Sequence, residues 1–244
     1  MIMAFIAVLS AHAQVGEYRN DFALGVNGGV TLTNVNFMPK VPQGTFLGKT
    51  AGLTLRYTGE KYFKSICAVV AEVNLAEMGW KESIQDMNDQ PVMRLDGLEP
   101  ERYERSLTYV QVPVFARLGW GRERRGLQFY FQVGPQVGFL TGERTEMNFD
   151  LANRNSANRA SQVIAQDTMA VEYNIDYGIT GGLGIEYTHP KVGHFLLEGR
   201  YYYGLGNLYG NSKRDYFAIS NLQGFVIKVS YLFDIVRTKN PKIK

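Results

Sequence analysis

Eight charged residues sit where charge is unexpected: Arg56, Glu72, Arg117, Asp176, Glu186, Glu198, Arg200 and Lys228. Each falls within a stretch in which every second residue is apolar or aromatic, and each occupies the alternate, polar face. Four cations and four anions confined to one face imply ion pairing. Left isolated in a narrow interior, each would cost several kcal/mol. Counted along their stretches, Glu72, Arg200 and Lys228 share a middle layer. Arg56, Arg117, Glu186 and Glu198 lie nearer one rim. The readings that follow are a structural plug of salt bridges or, more sharply, a gated polar path or a recognition site for a peptide.

Catalytic chemistry has less support. The histidines are His12, His189 and His194, and the last two flank one turn. There is no H-E-x-x-H and no His–Cys cluster, so no zinc site is expected. A Ser-His-Asp site needs three converging groups, and none can be assigned. Asp150, Asp167 and Glu172 are the acids left for an acid-pair hydrolase, but acidic loop residues are usually solvated. The glycines of 178–184 lack the Lys-Ser/Thr of a phosphate loop. Cys67 is the single cysteine and alternates with Val69, Ala71 and Val73, as a small apolar filler would. Neither an enzyme nor a cofactor is expected.

The elements that must hold the charges are strands. In Leu127–Phe139, Leu127, Phe129, Phe131, Val133, Val137 and Phe139 point one way, and Gln128, Tyr130, Gln132, Gly134, Gln136 and Gly138 the other. Similar patterns predict strands over Phe22–Val35, Gly48–Tyr57, Lys64–Trp80, Leu107–Trp120, Leu127–Thr141, Val171–Thr188, His194–Leu205 and Leu222–Asp234. A soluble ligand-binding barrel of lipocalin type would hide its apolar face. Here the charges occupy the inner face of a closed sheet, so the apolar face must meet lipid. The fold class is all-β: an eight-stranded antiparallel up-and-down transmembrane β-barrel in the outer membrane.

Connection lengths support this. Turns at 58–63, 121–126 and 189–193 are short, whereas 81–106 and 142–170 are long loops. That asymmetry belongs to barrels with a periplasmic and an extracellular rim. Mean hydropathy is near neutral at -0.18, because the two faces average out. The 15 Tyr and 14 Phe suit aromatic belts at the membrane interfaces. A net charge of +3 with no basic stripe argues for no nucleic-acid partner. Outer-membrane lipid is the expected partner, and a monomer suffices.

Residues 1–13 read as an export signal whose true start can lie upstream, with Ala11-His12-Ala13 as cleavage site. Residues 14–21 form a periplasmic segment, 22–234 the barrel, and 235–244 a basic periplasmic tail with Arg237, Lys239, Lys242 and Lys244. Pro113 lies in mid-strand and predicts a bulge. Asn153–Gln166 predicts a short surface helix. Inward glycines, among them Gly178 and Gly184, leave room for Tyr130 and Tyr202 to lie across neighbouring strands.

Several segments carry a family resemblance. They are Glu60-Lys61-Tyr62-Phe63-Lys64, Glu77-Met78-Gly79-Trp80-Lys81, Tyr109-Val110-Gln111-Val112-Pro113 and Gln132-Val133-Gly134-Pro135-Gln136. More specific is Phe195–Leu205, followed by Asn211–Phe217. The chain resembles the PorT-like branch of the outer-membrane β-barrel families of Bacteroidota. That resemblance implies an accessory role in type IX protein secretion, with secretion-system components as partners and no catalytic residues. The alternative is a structural or adhesive barrel, resembling OmpA or OmpX, that acts through its extracellular loops.

Overall fold

A computed structural model describes residues 17–210 and 215–238. Its strands are β1 (Glu17–Met38), β2 (Gln43–Gly44), β3 (Phe46–Tyr62), β4 (Ser65–Glu82), β5 (Tyr103–Gly121), β6 (Gly126–Met147), β7 (Ile175–His189), β8 (Gly193–Gly204) and β9 (Ile219–Val236). Apart from β2, each strand pairs antiparallel with its neighbours in sequence, and β1 pairs with β9 to close the ring. The result is an eight-stranded up-and-down barrel. The two-residue β2 only extends the outer end of β4.

The orientation matches the alternation. Phe129, Val133, Ile179 and Ile227 are 61%, 40%, 51% and 48% exposed, whereas Gln132 and Lys228 are each 1% exposed. Outside, the aliphatics and rings form the belt that meets hydrocarbon. Three tight turns lie on the periplasmic rim. At two of them Gly126 and Gly193 take φ of 117° and 128°, a region that glycine enters without a Cβ penalty. All four longer connections lie on the opposite rim.

Several expectations change in detail. β1 starts at Glu17, so most of the 14–21 segment is strand, and β9 takes Ile235 and Val236 from the tail. β7 starts at Ile175 instead of Val171, because 171–174 packs along the loops. No bulge occurs at Pro113: Ala71↔Val114 and Asn74↔Gln111 keep one register across it, and the shift in the β5–β6 ladder falls at Thr108/Tyr109. Proline removes a donor there without inserting a residue. Asn153–Gln166 is not a surface helix. It contributes to three 3-10 turns, Leu151–Asn153, Ser156–Asn158 and Ala165–Asp167, and Arg159 and Gln166 are buried. The export signal at 1–13, Asn211–Arg214, Lys239, Lys242 and Lys244 lie outside the described residues.

The interior is not polar throughout. Its outer half holds Met78, Trp80, Tyr103, Leu107, Tyr109 and Tyr202, packed against Val92, Phe149, Leu208, Tyr209 and Phe217 of the loops. This apolar cluster is the main core of the protein. It forms because the long loops fold inward and exclude water from the barrel mouth.

Candidate functional site: a charged lumen beneath a folded cap

All eight charged residues expected in the lumen are buried there. In the middle layer Glu72 accepts from both terminal nitrogens of Arg200 at 2.7 and 2.6 Å, and from Lys228 Nζ at 2.7 Å. Asn27 and Asn74 extend this cluster: Asn74 donates to Glu72 at 2.9 Å and accepts from Asn27 at 2.9 Å. Glu198 was expected nearer the rim but belongs here, accepting from Arg200 at 2.5 Å. It projects from the same face of β8 two residues away, so strand tilt carries it towards Arg200. Two anions then balance two cations.

The periplasmic layer centres on Glu186, which pairs with Arg56 at 2.7 Å and also with Arg117. Sequence reasoning missed His194, whose ring nitrogens lie 2.6 Å from Glu186 and 3.0 Å from Asp234. His194 begins β8 beside a turn, but it points inward. Its parity with Leu196, Glu198 and Arg200 was the available signal, and Asp234 likewise shares parity with Lys228. Thr188 Oγ1 lies 3.0 Å from His194 Nδ1, but Glu186 occupies the same nitrogen. Both ring nitrogens thus face carboxylates, the geometry of an ion-paired imidazole.

Asp176 departs from the expected pairing. No cation meets it among the described residues; the Tyr202 hydroxyl donates to it at 2.5 Å. It lies on the boundary with the apolar cluster, where a tyrosine is the available donor.

Tyr130 joins the two layers. The Arg117 guanidinium lies 3.6 Å from its ring centroid, and its hydroxyl donates to Glu198 at 3.0 Å. The ring lies over Gly184, where a Cβ would come within 2.3 Å of Cζ. Tyr202 covers Gly178 in the same way. Gly184→Ala should therefore displace Tyr130 and destabilise the barrel by about 1–3 kcal/mol through overpacking. Urea titration of heat-modifiable mobility would measure the loss, and adding Tyr130→Leu should recover part of it. The enclosed space between the layers is about 10 Å³, no more than one water needs.

Above it the loops form a second ion-paired unit. Arg159 donates to Glu101 at 2.8 and 3.1 Å, while Arg154 reaches Asp167 at 3.1 Å. Arg105 bridges strand and loops: it donates to the carbonyls of Gln166 and Met169 at 3.2 and 2.6 Å and pairs with Glu143. Asp167 is buried among arginines, Asp150 caps a 3-10 turn, and Glu172 is exposed.

Glu82 enters this cap from β4 and accepts from Gln166 at 2.7 Å. Burial first, then the charge of Asp167, pushes the Glu82 carboxyl up to about 8, against the pull of Gln166 and Arg159. Burial also raises Asp167. An acid whose folded pKa exceeds its unfolded value stabilises the fold at low pH and loses that contribution as pH rises. Cap stability should fall from about pH 4.5 to 8, so proteolysis within 83–102 and 148–174 should increase over that range. Glu82→Gln should flatten the profile.

Several solved barrels are similar to this chain. Neisserial surface protein A is 11% identical over 86% of this chain and 95% of its own, with a TM-score of 0.42. OprG from Pseudomonas aeruginosa is 14% identical over 89% and 98%, with a TM-score of 0.37. Ail from Yersinia pestis is 12% identical over 89% and 99%, with a TM-score of 0.34. No curated protein matches the chain. A family model described as an outer membrane protein beta-barrel domain matches residues 12–210, so this integral outer-membrane β-barrel belongs to that family.

Proposed function

We propose that this barrel acts at the cell surface through its extracellular cap, as a structural or adhesive protein and not as a channel. The observation that carries this reading is the cap itself. Its loops share one apolar core with the barrel mouth and are tied by buried ion pairs. Binding residues tend to lie on loops held by a rigid scaffold, and here the barrel is that scaffold. Beneath it, two layers of paired charges with a space of about 10 Å³ between them support this reading.

The test replaces 83–102 and 148–174 with short turns in the full chain. Adhesion of cells to protein-coated surfaces should fall to the level of a deletion strain, while the heat-modifiable barrel still forms. Full adhesion by the shortened protein would reject the reading.

The second reading is the accessory role in protein secretion implied by the PorT-like resemblance. A sealed lumen of this width suits an accessory component, since folded cargo would need another conduit. Profiling secreted proteins in a deletion strain tests it, and an unchanged profile removes it.

A further inference from the structure

The cap holds a cavity beside its apolar core. Three segments build it: 41–42 after β1, 82–89 from the end of β4, and 159–163 of the longer loop. Backbone bonds tie them together, from Ser83 nitrogen to Pro42 oxygen at 3.0 Å and from Ala160 nitrogen to Gln85 oxygen at 2.9 Å. The 86–90 turn is fixed too, since Asp86 Oδ1 accepts from the nitrogens of Asn88 and Gln90 at 2.8 and 2.9 Å. The cavity is therefore preformed. It measures about 150 Å³, well under the roughly 300–1,000 Å³ of small-molecule sites. A space of that size takes one benzene-sized group, so a single side chain fits it.

Its lining divides by chemistry. Val41, Ile84 and Val163 give apolar walls, whereas Glu82, Asp86 and Asp89 supply carboxylates. Asp89 is exposed and Glu82 half-buried. The arginines of the cap pair elsewhere: Arg159 with Glu101 and Asp167, Arg154 with Asp167, and Arg94 with Asp96. Among the described residues none of them pairs with Glu82, Asp86 or Asp89. Arg159 also lines the cavity, but two carboxylates already balance it.

A buried acceptor lies behind this lining. Asp167 is hydrogen-bonded to Glu82, its side chain has no solvent exposure, and its Oδ1 has no donor among the described residues. Gln166 Oε1, on a residue equally inaccessible, has none either. Glu82 and Asp167 thus share a proton, with burial and the charge of Asp167 holding Glu82 up to about 8. A cation placed beside such a carboxyl favours its ionised form and can take the place of the proton.

We propose that this cavity receives one lysine or arginine side chain of a partner protein. The aliphatic stem lies along the apolar walls and the charged head meets Glu82, whose proton leaves to solvent. Asp86 and Asp89 attract the head as it enters. Met87, between them in sequence, is 86% exposed and offers an apolar contact to the residue beside the basic one, which a free amine lacks. Protein interfaces concentrate their binding energy in anchor side chains that fill small, desolvated pockets. The assignment deepens the adhesive reading and rests on it, naming the partner as a protein with an exposed basic residue next to an apolar one.

The experiment uses the full chain in nanodiscs and a labelled peptide with one central lysine followed by leucine. Copies carry arginine, or norleucine, in place of the lysine. Fluorescence anisotropy at neutral pH should show the two basic peptides bound at least about tenfold more tightly than the norleucine copy, the scale of one desolvated charge pair. Glu82→Gln and Asp89→Asn should each reduce that preference at least about fivefold. Both keep the size of the side chain and an acceptor oxygen, so limited proteolysis should find both caps closed. No binding of the lysine peptide, equal binding of the norleucine copy, or a preference unmoved by both substitutions would overturn the proposal. So would n-pentylamine displacing the peptide at the peptide's own affinity, since the cavity would then be a free-amine site. Adhesion lost with the loops but no lysine preference removes the pocket and keeps the adhesive reading. A lysine preference with full adhesion by the shortened protein does the reverse.

Discussion

Glu72→Ala should destabilise the barrel by about 3–5 kcal/mol, the usual result of removing one partner from a buried ion cluster. The Glu72 side chain is 1% exposed and is the joint partner of Arg200 and Lys228, themselves nearly inaccessible. Alanine leaves Lys228 without a carboxylate and Arg200 with Glu198 alone. It also removes the acceptor of Asn74. The penalty is mainly the uncompensated charge, so the cure is to remove that charge too. Glu72→Leu with Lys228→Met keeps the volume and leaves the Arg200–Glu198 pair in place. That double variant should regain most of the loss, because apolar replacements of buried ion pairs are often neutral. Urea-dependent folding into lipid vesicles, followed by heat-modifiable mobility, measures both. A single variant within 1 kcal/mol of the parent, on the scale of an exposed pair, would show that the layer carries little of the barrel's stability.

The same cluster shows what could be read from the sequence and what could not. Alternation alone places Glu72, Arg200 and Lys228 inward, and short turns against long loops set the ring's polarity. Layer membership is harder, because strands tilt and shear. Glu198 therefore falls beside Arg200 instead of joining Arg117 at the rim. His194 escaped notice because a residue at a strand end looks like part of the turn, although its parity was inward. The largest omission was the apolar outer interior. Trp80, Leu107 and Tyr109 alternate inward correctly, while Tyr103 fell in the predicted 81–106 loop; the burial of all four depends on loops folding over them. No local pattern in 83–102 or 148–174 announces that fold, which is built from isolated bridges, short 3-10 turns and long-range ion pairs.

Arg159→Ala separates the two energetic units of the molecule. Arg159 is inserted between the loops: its guanidinium lies 5.1 Å from the Phe149 ring centroid and holds Glu101, whose side chain has no solvent exposure. Glu101 in turn accepts from the Asn155 nitrogen at 2.7 Å, so one arginine fixes both long loops through a single carboxylate. Alanine strands Glu101 and weakens the neutralisation of Asp167, which keeps Arg154. The expected loss is about 3 kcal/mol or more of cap stability. At 1.4 kcal/mol per tenfold change, the open population of the cap rises on the order of a hundredfold. Among the described residues Arg159 makes no ion pair with either lumen layer, so mobility before and after heating should stay as in the parent. Limited proteolysis should then cut within 83–102 and 148–174 about a hundred times faster at unchanged barrel stability, because cleavage follows local opening. Adhesion should fall with the cap even though every loop residue but one is retained. If proteolysis and urea stability shift together, cap and barrel unfold as one unit, and surface recognition cannot be tuned without endangering membrane insertion.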